Sequence, residues 1–128
     1  MIKSIKKLRV LGISAGQGAL LHPFLGKKNC KIIANVESRG VFHTTKEEQW
    51  KLNFGEIPFL KQGFDQNWRP NVIVSSPDCG ASSIMRLSKV KQLGKPEENE
   101  SLNLVIEGIL YYKPKFFLIE NLPRLLSL

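Results

Sequence analysis

The chain has 128 residues, 42% of them hydrophobic, which suits one globular domain with a modest core. Its 19 Lys and Arg against 11 Asp and Glu give a net charge of +8, which favours a polyanionic partner such as nucleic acid or an anionic membrane surface. No apolar run approaches the roughly 20 residues that cross a bilayer. Cys30 and Cys79 form neither a disulfide framework nor a metal-spaced set. We therefore expect a single cytoplasmic domain over residues 1–128, with no membrane contact and no metal.

Hydrophobic patterning divides the first half of the chain into five predicted segments. Apolar runs indicate strands, small residues indicate a tight loop, and a capping box marks one helix start. The segments are strand Leu8–Ile13, loop Ser14–Gly18, a possible helix start Ala19–Leu25, strand Lys31–Val36 and helix Thr44–Leu52. The second strand ends at an acidic residue, Glu37.

The second half predicts two further strands and a helix. Asn71–Ser75 is a buried strand, and the polar segment that follows it up to Glu100 predicts a loop or lid. Apolar residues recur at helical spacing over Glu100–Tyr112, and Pro114 ends that pattern. A last strand covers Phe116–Ile119.

Strands that alternate with helices predict an α/β fold, an open, doubly wound, Rossmann-like parallel sheet. Such sheets bind ligands at the carboxyl ends of their strands. Here each predicted strand ends in residues that could do chemistry: Ser14–Gly18, Glu37, Pro77–Cys79, and Glu120 with Asn121. This arrangement indicates a functional site along that edge.

The first of these strand ends suits an adenosine-containing cofactor. Gly16 and Gly18 allow close approach of the backbone to a ligand, and Glu37 can accept hydrogen bonds from ribose hydroxyls. A tight turn without a ligand is an equally good interpretation of the two glycines alone. The third glycine of the dinucleotide fingerprint is absent, which disfavours NAD.

Cys79 and Glu120 are the candidate reactive groups. A helix beginning near Ser82 would favour the Cys79 thiolate, although an unplaced cysteine is more often buried and inert. Glu120 follows the last strand, so its carboxyl group can face the same cleft and exchange a proton with a ring nitrogen. A surface residue or a helix cap is the more common role of a lone glutamate at a strand end.

The order and spacing of these segments resemble the DNA cytosine-5 methyltransferases over essentially the whole chain. Ser14–Gly18 resembles the first motif of that family, and Pro77, Asp78, Cys79 and Ser83 resemble its proline-proline-cysteine motif. Glu120, Asn121 and Leu122 resemble its glutamate-asparagine-valine motif, and the preceding Lys113–Leu118 is also typical of the family. Ser14, Ala19, Asp78, Gly80 and Ser82 depart from the family pattern.

The resemblance implies the sheet of an S-adenosylmethionine-dependent methyltransferase, incomplete at its C-terminal side, that modifies cytosine in double-stranded DNA. Cys79 would be the nucleophile, and Glu120 would engage the base. Ser83 and Arg86 would meet phosphates. An acid that contacts the adenine could be Glu56 or Asp65, with Asp65 slightly favoured. The implied cofactor-binding residues are Ser14, Ala15, Gly16, Gly18, Glu37, Asp65 and Pro77.

Later motifs of the family, including its target-recognition region, do not occur in this sequence. A partial domain, or one subunit that needs a second polypeptide, is therefore expected. A non-catalytic module that binds cofactor or DNA is the main alternative. A small-molecule methyltransferase is a third, but it leaves the pairing of Cys79 with Glu120 unexplained.

Overall fold

A computed structural model of the chain describes residues 6–38, 44–77 and 100–121. The helices and strands of these residues are β1 Leu8–Ile13, β2 Cys30–Glu37, α1 Thr44–Phe54, β3 Phe59–Lys61, β4 Val72–Ser75, α2 Glu100–Tyr112 and β5 Phe116–Ile119. The five strands are parallel and form one sheet in the order β3-β2-β1-β4-β5. The predicted open parallel α/β sheet is confirmed.

The strand order places a topological switch at the centre of the sheet. From β1 the chain moves outward to β2 and β3, and then returns to the other side of β1 to form β4 and β5. Loops that leave β1 and β4 therefore diverge in opposite directions at the carboxyl ends of these strands. In open α/β sheets a crevice for ligands forms at this point.

Two apolar clusters cover the two faces of the sheet. Successive side chains of a strand point to opposite faces, and accordingly Val10 packs in the cluster with Trp50 and Phe54 of α1, whereas Leu11 packs with Leu104 and Val105 of α2. The Trp50 and Phe54 rings stack with their centroids 4.0 Å apart. Helices on both faces make the sheet doubly wound.

Gly108 lets α2 approach β1 closely. A Cβ atom at this position would lie 2.2 Å from Cδ1 of Ile13 and 3.2 Å from Cζ of Phe64. The first distance is shorter than real Cβ contacts and the second is tight, so a side chain at this point of the helix would require Ile13 to move. The buried Leu104 and Val105 lie one turn before it on the same helix.

Most predicted boundaries agree with the structure. Those of β1, α2 and β5 are confirmed, β2 extends one residue beyond the predicted strand at each end, and α1 continues to Phe54. β4 begins one residue later than predicted. β3 was not predicted.

The predicted helix start at Ala19–Leu25 is wrong. Only a short 3₁₀ turn, His22–Phe24, forms there, and Leu25 is already extended with φ −69° and ψ 132°. Pro23 lies at the start of the turn, where its fixed φ is tolerated, but the extended backbone at Leu25 stops any continuation. The predicted loop or lid before Glu100 lies outside the described residues.

β5 forms the outer edge of the described sheet. It pairs with β4, and its Phe116, Phe117 and Leu118 side chains are each more than half exposed. Among the described residues, no helix has the length and apolar character needed to cross a membrane.

Candidate functional site

The carboxyl ends of four strands meet along one edge, which we call the carboxyl edge and define by Ser14, Glu37, Ser76 and Glu120. Backbone hydrogen bonds continue the sheet beyond the strands at this edge. The amide of Ser14 donates to the carbonyl of Val36 at 2.8 Å, and the amide of Ser76 donates to the carbonyl of Ser14 at 3.1 Å. The amide of Glu120 donates to the carbonyl of Ser75 at 3.0 Å. The described residues at these strand ends therefore lie side by side.

Ser14 fixes the path of the loop that follows β1. It is 2% exposed, has φ +53°, and its hydroxyl donates to the carbonyl of Ser101 in α2 at 3.0 Å. A positive φ is uncommon for a residue with a side chain, and the Ser101 contact helps to hold it. In the described structure Ser14 thus links the loop to α2.

The two loop glycines have different surroundings. A Cβ on Gly16 (φ +59°) would have no described atom within 4 Å, so its backbone faces open space. A Cβ on Gly18 (φ +90°) would lie 2.3 Å from Cε2 of Phe54 and 2.8 Å from Cζ3 of Trp50. Packing against α1 therefore explains Gly18 without a ligand. Gly16 is the position where a ligand can approach the backbone.

A buried amide, Asn35, connects the loop to Glu37. Its Nδ2 donates to the carbonyl of Gly16 at 3.1 Å and to Oε1 of Glu37 at 3.1 Å, and its Oδ1 accepts from the amide of Ala15 at 3.2 Å. The amide of Gly16 also donates to Oε1 of Glu37 at 2.7 Å. Asn35 is fully buried, so these bonds form out of water. The sequence interpretation missed this residue.

Glu37 is a buried carboxyl group at the end of β2, with 1% of its surface exposed. Burial raises its pKa above the ordinary value of 4.5, while the hydrogen bonds from Asn35 and from the amide of Gly16, and the charge of Lys46, oppose that rise. Desolvation disfavours the charged form, so burial is the dominant cause. The acid is thus held at the loop that bears Gly16.

The end of β3 brings unpredicted residues next to Glu37. Lys61 is the register partner of Glu37, and the amide of Gln62 donates to the Glu37 carbonyl at 2.7 Å. Sequence interpretation could not place them there, because β3 has only three residues.

The two candidate acids for adenine binding are both exposed. Asp65 is exposed, its Oδ1 accepts from the amide of Asn67 at 2.8 Å, and its carbonyl accepts from the hydroxyl of Tyr112 at 2.9 Å. Glu56 is exposed in the turn between α1 and β3. None of these hydrogen bonds joins Asp65 to Gly16 or Glu37. The assignment of either acid to an adenine stays a prediction.

Two cavities border this region. One, of about 400 Å³, touches the glycine loop and is lined by Gln17, Gly18, Ala19, His22, Asn53 and Phe54. The other, of about 640 Å³, begins at the end of β3 and includes Gln62, Phe64, Asp65, Trp68 and Tyr111. The Gln17 and Gln49 side chains are hydrogen-bonded to each other beside the first.

The β4 and β5 ends form the second half of the edge. The hydroxyl of Ser76 donates to Oε2 of Glu120 at 2.9 Å, and Nδ2 of Asn121 donates to the carbonyl of the buried Pro77 at 3.1 Å. The hydroxyl of Ser75 is buried and has no hydrogen-bond partner among the described residues. A buried hydroxyl without a partner costs free energy, so Ser75 is a locally unfavourable feature of the β4 end.

Several predicted site residues cannot be placed. Cys79, Ser83 and Arg86 lie outside the described residues, as do Asp78 and Leu122. Cys30 is half-buried at the start of β2, on the opposite side of the sheet from the carboxyl edge. In the part of the chain that the structure covers, no three His, Cys, Asp or Glu residues gather as metal ligands.

No protein-family model matches the chain, and no curated protein matches it in sequence. A crystal structure of the selenomethionine-substituted CurJ carbon methyltransferase is similar, with 18% sequence identity and a TM-score of 0.35. The match covers 90% of this chain and 36% of that one. The chain thus spans about a third of that structure's length, and a similarity this weak carries no argument about activity.

Proposed function

We propose that the chain is the cofactor-binding and nucleophile-bearing part of a DNA cytosine-5 methyltransferase that uses S-adenosylmethionine. The observation that carries the proposal is the carboxyl edge. The glycine loop, Glu37, Pro77 and Glu120 come from four different strands, and hydrogen bonds hold them along one side of the sheet. Their order along the chain is that of the motifs that resemble the methyltransferase family.

The residues present fit an adenosine-containing cofactor. Gly16 leaves room at its backbone, and the Glu37 carboxyl group lies beside it. Glu37 would hold the ribose, and the loop from Ser14 to Gly18 would surround the rest of the nucleoside. When bound, S-adenosylmethionine supplies an electrophilic methyl group.

Glu120 is suited to contact a base. Its carboxyl group is exposed, and the Ser76 hydroxyl fixes one of its oxygens. Cys79 follows Pro77 by two residues in the sequence, and we assign it the role of nucleophile from its match to the family motif.

The proposed reaction uses these two groups in sequence. The Cys79 thiolate adds to C6 of a cytosine turned out of the duplex, while Glu120 donates a proton to N3. The electron pair that is displaced makes C5 nucleophilic, so that C5 would accept the methyl group as the bond from that methyl group to the sulfonium sulfur breaks. Transfer of the C5 proton to a base, return of the N3 proton to Glu120 and expulsion of the thiolate would restore the aromatic ring. Ser83 and Arg86 would contact the flanking phosphates.

Covalent trapping tests the proposal. DNA that contains 5-fluorocytosine cannot lose its C5 substituent as a proton, so with cofactor present the chain should form a stable adduct with it. Cys79→Ala should abolish the adduct. Cys30→Ala is the matched control, because it removes the other cysteine of the chain and should leave the adduct unchanged.

The trapping result also separates the alternatives. No adduct, combined with binding of cofactor or DNA, would replace the enzyme by a non-catalytic binding module. An adduct that forms only when a second polypeptide is added would indicate a split enzyme.

A further inference from the structure

The edge of the sheet opposite the carboxyl edge carries most of the Lys and Arg residues that the structure describes. We call it the basic edge and define it by the residues that lead into strands β1, β2, β4 and β5. Its cations are Lys6, Lys7, Arg9, Lys27, Lys28, Lys31, Arg69, Lys113 and Lys115. The same four segments, residues 6–9, 26–31, 69–71 and 113–115, contain no Asp or Glu. Only the segment before β3 carries an acid, Glu56.

Backbone hydrogen bonds join these segments into one continuous rim. The amide of Leu8 donates to the carbonyl of Asn29 at 2.7 Å, and the amide of Asn71 donates to the carbonyl of Arg9 at 2.9 Å. The amide of Phe116 donates to the carbonyl of Asn71 at 3.1 Å. Four adjacent strands at a spacing of about 4.8 Å give a strip about 14 Å wide. The positive charge is therefore arranged in a row.

Part of the strip lines a cavity of about 450 Å³. The Nε of Arg9 donates to the carbonyl of Arg69 at 2.7 Å, which fixes the guanidinium group, and the amide of Arg9 donates to Oδ1 of Asn71 at 2.9 Å. Tyrosine and amide side chains supply further polar groups. The cavity is lined by Arg9, Gln66, Arg69, Pro70, Asn71, Tyr111, Tyr112, Lys113 and Lys115.

These cations have no acidic partner within the described residues. The ion pair found there joins Lys51 to Glu47 on α1 and involves none of the nine. Unneutralised cations in a row attract a linear polyanion, and a fixed guanidinium group with neighbouring hydroxyl groups suits phosphate oxygens.

We propose that the basic edge binds the phosphate backbone of nucleic acid, separately from the carboxyl edge. The six residues of β1 separate the two edges by about 17 Å, so one phosphate cannot contact both. A nucleic acid is favoured over a membrane surface because the hydrogen-bonded Arg9 guanidinium group lies in a recess, with Tyr111 exposed beside it as a platform for a base. This inference does not rest on the proposed methyl transfer.

Fluorescence anisotropy with labelled, cytosine-free oligonucleotides, single-stranded and duplex, tests the proposal on the full chain. The affinity should fall linearly with salt on logarithmic axes. Lys113→Gln combined with Lys115→Gln removes two exposed charges, and we expect affinity about tenfold lower and a salt slope smaller by about one to two. Lys51→Gln removes one charge on α1, away from the strip, and should change affinity by less than about twofold.

A second measurement uses the unmodified protein. Acetylation of lysines, followed by mass spectrometry, should show Lys113 and Lys115 protected by the oligonucleotide and Lys51 unprotected. Equal weakening per removed charge by the Lys113/Lys115 variant and by Lys51→Gln, equal protection of all lysines, or no binding at about 50 mM salt would overturn the proposal. Binding to anionic lipid vesicles without binding to oligonucleotides would also overturn it.

Discussion

Two glutamates end parallel strands of the same sheet, Glu37 in β2 and Glu120 after β5, and their surroundings differ. Glu37 is 1% exposed, and both Asn35 and the amide of Gly16 donate to one of its oxygens. Glu120 is exposed, and the hydroxyl of Ser76 donates to it. The β1–β2 half of the edge is thus packed and internally bonded, whereas the β4–β5 half is open. A preformed binding half beside an accessible reactive half is the arrangement that our proposal requires.

If the β1–β2 half of the edge is a rigid packed unit, a side chain added at Gly18 should cause the largest loss of stability. Gly18→Ala would push a methyl group into Phe54 and Trp50 at a position with φ +90°, and we expect the free energy of unfolding to fall by about 3 kcal/mol. Gly26→Ala is the matched control, with φ +74° and no described atom within 4 Å, and should cost about 1 kcal/mol. Urea denaturation measures both, and equal losses would contradict the packing role of Gly18.

Removal of the Asn35 amide, which joins β2 to the glycine loop, should cause the second largest loss of stability. Asn35→Ala leaves the Ala15 amide, the Gly16 carbonyl and Glu37 without their shared partner, and we expect a loss of about 2 kcal/mol. Asn53→Ala, an exposed asparagine on α1, should cost about 0.5 kcal/mol or less. A loss at Asn35 no larger than at Asn53 would mean that the loop does not depend on this amide.

The buried Glu37 carboxyl group should make the free energy of unfolding depend on pH. Because burial raises the pKa of Glu37, the folded state holds this proton more tightly than the unfolded state. The stability that protonated Glu37 contributes is therefore full below the pKa of the unfolded state, near 4.5, and is lost as pH rises through the pKa of the folded state. Glu37→Gln has no charge to bury, so its free energy of unfolding relative to the wild type should increase as pH rises above 4.5.

Urea denaturation at a series of pH values checks this sign, and we expect a smaller effect than at Asn35. A difference that stays constant or decreases with pH would show that desolvation does not dominate at Glu37. The same variant should also weaken binding of S-adenosylmethionine, measured by calorimetry, if Glu37 holds the ribose.

A substitution in the β4–β5 half of the edge should cause the smallest loss of stability. Ser76→Ala removes one hydrogen bond to an exposed carboxylate, and we expect a loss of about 0.5 kcal/mol in stability. The rate of adduct formation on 5-fluorocytosine DNA should nevertheless fall, because Glu120 loses the group that positions it. An unchanged rate would remove Ser76 from the proposed site, whereas a large loss of stability would contradict the openness of this half.

The long elements of this fold could be predicted from the sequence, and the short ones could not. The apolar run of β1 and the helical spacing of α2 gave the observed boundaries, since each pattern extends over several residues. β3 has three residues, two of them exposed, so no periodicity marks it. Without β3, the position of Lys61 and Gln62 beside Glu37 could not be foreseen.

The candidate site divides in the same way. Residues at strand ends, such as Gly16 and Glu37, could be proposed because the parallel sheet puts all strand ends at one edge. Asn35 could not, because it looks like a polar interruption in an apolar strand, and its partner Gly16 lies 19 residues away. The different roles of Gly16 and Gly18 depend on the rings of α1, which only the three-dimensional packing brings near.

Gly108 acts as a spacer that sets the height of α2 above the sheet. It lies seven residues after Ser101, about 10 Å along the helix, and Ser101 accepts the hydrogen bond that fixes Ser14. A side chain at position 108 would press on Ile13, the residue before Ser14. Packing between α2 and β1 thus bears on the start of the glycine loop from a point deep in the core, where no ligand reaches.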